Sequence, residues 1–360
     1  MSNEKKYWLA FSAIEGMVPS AFYKLQKYFT DLKNAWTAEK NDLLKSGLSE
    51  KLTEKIIHQR LRLDPSEIVY QLQQDGIKTV FISDQHYPIL LKEIYNPPPI
   101  LYYRGKLMNI DTVLAIVGTR KPSSFGTRIT HDLVSQIAQK QVVIASGLAY
   151  GIDSLAHQAT LEVNGCTWAV LGSGLNNIYP SANRKLAQNI IESGGAIISE
   201  YPPNMQPLRQ NFPARNRLIS GLARGTLVIE APRRSGALIT AYFALEQNRE
   251  IFAVPNDVYQ INAKGTNNLI KKGARVVTSV DDVLELFSID GHVTTRSESI
   301  LPDNQEEEAI INSLESGPQT VDQIIEKCKL DISTINSSLS LMEIAGKIKQ
   351  IEPQTYILNQ

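Results

Sequence analysis

The chain lacks the features on which membrane, disulfide-rich and metal-binding proteins depend. Its 360 residues include two cysteines, Cys166 and Cys328, which lie far apart in sequence and form no metal-binding pattern. No apolar run approaches the roughly 20 residues that span a bilayer, and no secretory signal follows the polar N-terminus. We therefore expect a cytoplasmic protein that keeps its cysteines reduced and contacts no membrane.

Motifs of nucleotide-dependent enzymes are absent as well. No Gly-x-x-x-x-Gly-Lys-Ser/Thr stretch occurs, which argues against a P-loop motor. No Gly-x-Gly-x-x-Gly fingerprint opens a helix, because the string Gly172-Ser173-Gly174 lacks the third glycine. We therefore expect no dinucleotide cofactor. Neither a Ser-His-Asp constellation nor a metal-ligand cluster is evident, so little argues for catalysis.

The net charge is zero, but the charges are unevenly distributed. Residues 1–112 carry 15 basic and 13 acidic residues, residues 113–280 carry 17 and 9, and residues 281–360 carry 5 and 15. The middle segment is therefore the candidate for an anionic partner. A modest basic excess is also common on solvated surfaces, and composition does not separate the two interpretations.

The stretch 114–126 organises the rest of the chain. It begins with four apolar residues, which is typical of a strand buried on both faces of a parallel sheet. The run ends at Gly118, a polar and basic loop follows, and apolar residues then recur at helical spacing. Backbone N–H groups at such a helix N-terminus favour an anion, usually a phosphate. Arg120 adds a charge with bidentate reach for phosphate.

Short apolar runs alternate with helical stretches throughout 113–278. They occur at 142–145, 167–171, 196–199, 226–229, 251–254 and 275–278. This alternation predicts an α/β fold with a doubly wound parallel sheet. Because nearly every run ends in Gly, Ser, Pro or Arg, we expect these residues to collect along one ligand-binding edge of the sheet.

Smaller modules flank this core. Residues 1–75 have the pattern of several short helices, and 41–52 resembles a helix-hairpin-helix or sterile-alpha-motif-like module with Ser49 as an N-cap. Such modules can bind the DNA backbone through the turn, although a plain helical pair is the simpler alternative. Two strand candidates at 78–82 and 100–105 follow this module. They begin a core domain that we predict to span 76–288.

The C-terminal part is predicted to be a linker at 289–304 and a small domain at 305–360. Three helical patterns and a hairpin at its end indicate a winged helix. Its recognition helix, near Thr334, carries no Lys or Arg, so we favour a protein-contact or regulatory role over strong duplex binding.

The segment 211–219 is the second strong signal for an anionic ligand. Arg215, Asn216 and Arg217 supply donors for phosphate, and Phe212 offers a face on which a base can stack. Alternatively, one of the two arginines pairs with Glu200 or Glu230 at the sheet edge.

Three further sites admit a structural alternative. Small side chains at Ser146-Gly147 and Ser235-Gly236 allow a close approach of the backbone to an anion, or else tight packing of strand on helix. His157 lies four residues after Asp153, hence on the same helical face. That pair could serve acid–base chemistry, but we favour a structural hydrogen bond that fixes the loop.

Taken together, these strings resemble the DNA-processing protein A family, also called Smf. The matching strings are IVGTR (116–120), SGLAYGID (146–153), AVLGSG (169–174), FPARNR (212–217), SGALIT (235–240), FAVP (252–255) and GTNNLI (265–270). Together they cover about 113–275. The chain departs from the family at Tyr150, commonly Arg, which removes one possible phosphate contact, and at Asn256, commonly Gly.

The resemblance implies an extended Rossmann-like core that binds single-stranded DNA, protects incoming strands in natural transformation and loads the recombinase RecA onto them. It further implies a homodimer that is not an enzyme and needs no cofactor. Carried over by motif, the DNA-binding residues would be Gly118, Arg120, Ser146, Gly147, Arg209, Phe212, Arg215, Asn216, Arg217, Ser235 and Gly236.

One enzymatic alternative stays open. Rossmann-type phosphoribohydrolases cleave nucleoside monophosphates with a Pro-Gly-Gly-x-Gly-Thr motif and a catalytic Glu. The comparable place here is the string APRRSG (231–236), so that motif is absent.

Overall fold

A computed structural model describes residues 4–288, 302, 304–314, 317–328, 330–344, 347–352 and 354–358. The chain forms two compact units, Met1–Ile289 and Asp290–Gln360. The linker predicted at 289–304 lies outside the described residues, except for positions 302 and 304.

The first unit begins with the predicted helical region. Its helices are α1 (Lys5–Ser12), α2 (Pro19–Tyr28), α3 (Leu32–Thr37), α4 (Lys40–Lys45), α5 (Glu50–Arg60) and α6 (Pro65–Gln74). Ser49 caps α5, as predicted, because its hydroxyl accepts a hydrogen bond from the Leu52 N–H at 3.3 Å. Apolar side chains such as Phe11 and Trp36, whose rings meet edge to face at 5.1 Å, form the core of these helices.

One nine-stranded sheet follows. Its strands are β1 (Lys78–Phe81), β2 (Ile100–Gly105), β3 (Val113–Val117), β4 (Val143–Ser146), β5 (Thr167–Val170), β6 (Ala196–Ser199), β7 (Gly225–Val228), β8 (Glu250–Ala253) and β9 (Arg275–Val276). The strand order is β1-β2-β6-β5-β4-β3-β7-β8-β9. The strands from β6 to β9 are parallel, which confirms the predicted sheet, while β1 and β2 extend it by antiparallel pairing.

Helices cover both faces of this sheet. They are α7 (Ile89–Lys92), α8 (Ser124–Gln139), α9 (Ile152–Glu162), α10 (Arg184–Glu192), α11 (Asn211–Gly221), α12 (Gly236–Glu246), α13 (Ala263–Lys271) and α14 (Asp281–Ser288). In β3, Leu114 and Ile116 share a core with α8 and α9, whereas Ala115 and Val117 share one with α11 and α12. The continuous apolar run is thus buried on both faces.

The described residues of the second unit form three helices and a three-stranded sheet, as a winged helix does. Their bounds are α15 (Gln305–Leu314), β10 (Gln319–Thr320), α16 (Val321–Cys328), α17 (Ile332–Ile344), β11 (Ile348–Glu352) and β12 (Thr355–Leu358). Lys347 and the buried Glu307 form an ion pair at 2.6 Å. Across the described parts of both units, none of the helices has the length and apolarity that crossing a bilayer requires.

Candidate nucleic-acid interface

The switch point of the sheet lies between β3 and β7, since the chain leaves these neighbours towards opposite edges. The Thr119 N–H donates to the Glu230 carbonyl at 2.7 Å, which joins the loops after the two strands. A cleft of about 660 Å³ opens at this edge. Its polar, charged and aromatic lining comprises Thr119, Arg120, Asp153, Tyr179, Arg209, Phe212, Arg215, Asn216, Arg234, Ser235 and Thr240.

Three exposed arginines reach this cleft from separate segments. Arg120 follows β3, Arg209 precedes α11 and Arg234 follows β7. Within the described residues, none of the three guanidinium groups makes a hydrogen bond or an ion pair. Their charges are therefore available to an anionic ligand, and a guanidinium matches a phosphate in two-point geometry.

The sequence predicts that the N-terminus of α8 binds an anion of the ligand. In the structure, a carboxylate of the protein itself occupies this place. The buried Glu230 carboxylate lies there and accepts hydrogen bonds from the Ser123 N–H at 2.9 Å and the Ser123 hydroxyl at 2.6 Å. Ser123 in turn caps the helix at the Gly126 N–H. The protein's own carboxylate thus compensates the positive end of α8, and this part of our prediction is corrected.

Arg215 lines the cleft but is 4% exposed. Its guanidinium donates to the Val170 carbonyl and, at 2.9 Å, to the Gly147 carbonyl, which ties together the ends of β4 and β5. A Cβ at Gly147 would lie 2.7 Å both from this guanidinium and from the Asp153 carboxylate, so only glycine fits. Burial lowers the pKa of Arg215 to about 10, while Asp153 acts to raise it. The guanidinium stays charged at neutral pH and stabilises the two strand ends beneath the cleft.

Arg217 lies outside the lining of the cleft. Its guanidinium forms an ion pair with the carboxylate of Glu200, whose side chain is 9% exposed. It also donates to the Asn96 carbonyl at 3.0 Å. The ion-pair alternative is therefore confirmed for this arginine, and the structure does not bring Arg217 to the predicted site.

Phe212 brings an aromatic face to the cleft. Its ring lies over Gly172, where a Cβ would be 2.8 Å from the ring edge, and its centroid is 5.4 Å from that of Tyr179. Tyr179 is 47% exposed, so this aromatic pair has an open side. Such a surface accepts the π-face of any unstacked base.

Ser235, Gly236 and Asn216 border the cleft where α12 begins. The Ser235 hydroxyl caps α12 by accepting a hydrogen bond from the Ala237 N–H at 3.3 Å. The Asn216 amide donates to the Gly236 carbonyl at 3.3 Å and joins α11 to α12. With the end of α8 occupied, α12 supplies the helix N-terminus at which an external anion can bind.

Ser146 and Gly147 lie behind the cleft and do not line it. The Ser146 hydroxyl is fully buried and donates to the Ile116 carbonyl at 2.6 Å, and Gly147 accepts from Arg215. The packing alternative therefore describes this pair. Gly118, by contrast, is partly exposed and does line the cleft.

His157 has a structural environment. Its Nδ1 lies 2.7 Å from the Thr167 hydroxyl, the side chain is fully buried, and burial lowers its pKa to about 3. Asp153 instead accepts from the backbone N–H of Ala149 at 3.4 Å, so the two do not bond to each other. Our prediction of a hydrogen bond between His157 and Asp153 is therefore wrong, because His157 bonds to Thr167 and Asp153 to the backbone.

Sequence reasoning missed two residues of the cleft as site residues. Tyr179 follows β5 in an irregular loop, where no periodicity marks it. Arg234 stands directly before Ser235-Gly236, and two adjacent arginines after a buried strand were the available signal.

The cleft brings cationic and aromatic side chains together. Asp153 is the carboxylate of its lining, and two backbone N–H groups already bind it. Over the described residues, no group of three or more His, Cys, Asp or Glu is placed to hold a metal ion. The arrangement fits a flexible polyanion that carries planar groups.

Two family models and several known proteins match the chain. The family model for DNA recombination-mediator protein A matches residues 78–288, and the model for the DprA winged helix domain matches 294–352. Protein Smf of Synechocystis sp. is 37% identical over 388 residues, which covers 97% of either chain. The C-terminal winged-helix prediction is thereby confirmed.

Two solved structures are similar to the fold. The DNA processing protein A (DprA) of Streptococcus pneumoniae matches with a TM-score of 0.67 at 35% identity, covering 78% of this chain and 97% of that one. The Helicobacter pylori protein, described for its single-stranded DNA binding mode, matches with a TM-score of 0.53 at 29% identity, covering 59% and 95%. The chain therefore belongs to the DNA recombination-mediator protein A family, whose members include the DprA and Smf proteins.

Proposed function

We propose that the chain binds single-stranded DNA in this cleft, independently of base sequence, as part of DNA processing in natural transformation. The observation that carries the proposal is that three unpaired arginines converge on a cleft that also exposes the Phe212–Tyr179 pair. Phosphates bind the arginines and unstacked bases bind the rings. The H. pylori relative, described as binding single-stranded DNA, supports this assignment.

Selectivity follows from the same geometry. A base inside a duplex is stacked on both faces and cannot reach the ring of Phe212, whereas a base in a single strand can. Phosphate contacts and stacking do not read base identity, which makes the binding sequence-tolerant.

The residue-level proposal is narrower than the motif-derived set. We assign ligand contact to Gly118, Arg120, Arg209, Phe212, Asn216, Ser235 and Gly236, and we add Tyr179 and Arg234. Arg215, Ser146 and Gly147 support the cleft, because their polar groups bind the protein itself. Arg217 holds α11 to Glu200.

The partner proposals rest on exposed apolar surface and on family membership. Helix α12 exposes Tyr242 and Leu245, which are 58% and 64% exposed, and Ile239 at the rim of the cleft, which is 38% exposed. Contiguous apolar side chains of this size favour protein association. We propose a cytoplasmic homodimer that protects incoming strands and loads RecA onto them. Light scattering should give the mass of a dimer, and RecA assembly on single strands coated by a single-strand-binding protein should accelerate in its presence.

We further propose that the protein is not an enzyme. The phosphoribohydrolase motif is absent. Glu230 precedes the string that stands in the motif's place, and its carboxylate accepts hydrogen bonds from Ser123 at the end of α8. Release of free base from nucleoside monophosphates by the purified protein would contradict this.

Fluorescence polarisation of labelled oligo-dT and a matched duplex tests the binding proposal. Arg120→Ala removes one charged hydrogen-bond donor and should weaken oligo-dT binding by about 1.5–3 kcal/mol, or roughly 10- to 150-fold. Arg62→Ala is the matched control, because Arg62 is an exposed arginine outside the cleft. Wild-type affinity should fall steeply with salt. Tight binding of oligo-dT that both variants retain would move the site elsewhere, and no binding would refute the function.

A further inference from the structure

A second cavity, of about 420 Å³, lies among the N-terminal helices and shares no lining residue with the cleft. Two helix–turn–helix hairpins line it with their turns and their second helices. One hairpin comprises α1, α2 and the turn between them, and the other comprises α4, α5 and their turn. The cavity is therefore formed by the very turns that connect these helices.

The two turns have the same construction. Gly16 has φ +92° and Gly47 has φ +89°, a left-handed conformation that glycine adopts without strain. Each turn then enters a helix of at least ten residues, α2 with Pro19 in its first turn and α5 with the Ser49 cap. Both hairpins thus present the start of a helix at one cavity.

The cavity is cationic. Lys24, Lys51 and Lys55 line it, and Glu15 is the acid among its lining residues. The Lys24 ammonium donates to the Gly47 carbonyl at 2.8 Å, and Lys55 pairs with Glu15 at 2.8 Å. Lys51 is exposed and has no hydrogen bond or ion pair within the described residues. The hydrogen bond from Lys55 and its charge, and then the charge of Lys51, lower the pKa of the Glu15 carboxyl.

We propose that this cavity binds the phosphodiester backbone of DNA as a second contact, separate from the cleft. The lysine charges exceed the single carboxylate, the cavity has room for a phosphate with its sugar, and an ammonium on a flexible stem contacts phosphate without reading sequence. The inference does not depend on the proposed function of the cleft. A single strand and a duplex offer the same backbone chemistry, so the test includes both.

The test compares three variants of the full chain by polarisation with oligo-dT and with duplex, over a range of salt concentrations. Lys51→Ala removes the unpaired charge, and Lys51→Ala/Lys55→Ala removes two of the three. Lys33→Ala is the matched control, since Lys33 is an exposed lysine of the same region that does not line the cavity. Lys33 and Lys51 are exposed, whereas Lys55 is half-buried in its ion pair with Glu15, so thermal denaturation verifies the folding of each variant.

Each cavity lysine should contribute roughly two- to fivefold in affinity, as an exposed ion pair does. The slope of log K against log salt should become shallower by about 0.9 per lysine for duplex, or about 0.7 for a single strand. Loss in one arm identifies the strand form that is bound. If Lys51→Ala and the double variant behave as Lys33→Ala does in both arms, the second site does not exist. Arg120→Ala, measured in parallel, reports on the cleft alone, so the two proposals fail separately.

Discussion

Arg215 lines the cleft but has a structural role, unlike the exposed arginines beside it. Replacing Arg215 tests this difference. Arg215→Ala removes the guanidinium that donates to the buried Gly147 and Val170 carbonyls. Each unsatisfied polar group costs about 1–3 kcal/mol. The substitution also removes a positive charge that stabilises the ionised Asp153 carboxylate. Burial already raises the pKa of this carboxyl, and the Arg215 charge counteracts that rise. Breaking a buried charged arrangement costs about 3–5 kcal/mol in total.

That loss is a large part of the roughly 5–15 kcal/mol by which domains are stable. Urea unfolding, followed by tryptophan fluorescence, measures it, because Trp168 is fully buried next to this site in the sheet core. Arg215→Lys serves if the alanine variant does not fold, since an ammonium keeps the charge but cannot span both carbonyls in the same way. Arg120→Ala is the contrast, with stability changed by less than about 0.5 kcal/mol.

A different result would refute the reasoning. If Arg215→Ala unfolds at the wild-type urea concentration but loses DNA affinity as Arg120→Ala does, then Arg215 binds the ligand and does not support the cleft. The motif-derived role would then be right and the structural one wrong.

Three further predictions concern pH, stacking and the end of α8. Because burial lowers the pKa of His157 to about 3, the unfolded chain takes up a proton there below about pH 6.5 while the folded protein does not. Stability should therefore fall between about pH 6.5 and pH 3, by up to about 1.4 kcal/mol per pH unit, and His157→Gln should lack this component in unfolding experiments across that range. Phe212→Ala should weaken oligo-dT binding by about 1–3 kcal/mol, whereas Phe212→Tyr keeps the ring and the affinity in the same polarisation assay. Glu230→Gln should lower the free energy of unfolding by about 1–2 kcal/mol, because the end of α8 loses its carboxylate. Oligo-dT affinity should stay unchanged. A gain in affinity would show that a phosphate of the DNA takes the carboxylate's place.

The sheet and the cleft at its edge were predictable, because the physics involved is local. A strand such as β3 that is buried on both faces must be apolar at every position, and its end is marked by the first small or polar residue, Gly118. The winged helix was predictable for the same reason, since apolar residues recur at helical spacing in α15 and α16 and become its core.

Partners that are distant in sequence were not predictable. Glu230 reaches Ser123 across 107 positions, and no local pattern reveals that an internal carboxylate occupies the end of α8. Arg215 and Arg217 illustrate a second limit. Residues two apart on a helix point to different sides, so one reaches the cleft and the other reaches Glu200. The motif gave both the same role, and helical geometry assigns them different ones.

Photo-crosslinking of oligonucleotides that carry 5-iodouracil tests the central claim most directly, because this base couples to the aromatic side chain against which it stacks. Tryptic digestion after Arg209 and Arg215 isolates Phe212 as the aromatic residue of the segment 210–215. We predict that the adduct forms on Phe212, with Tyr179 as the second position, and that it disappears in Arg120→Ala at moderate salt. Adducts confined to aromatic residues outside the cleft would contradict the assignment of this edge of the sheet as the DNA-binding site.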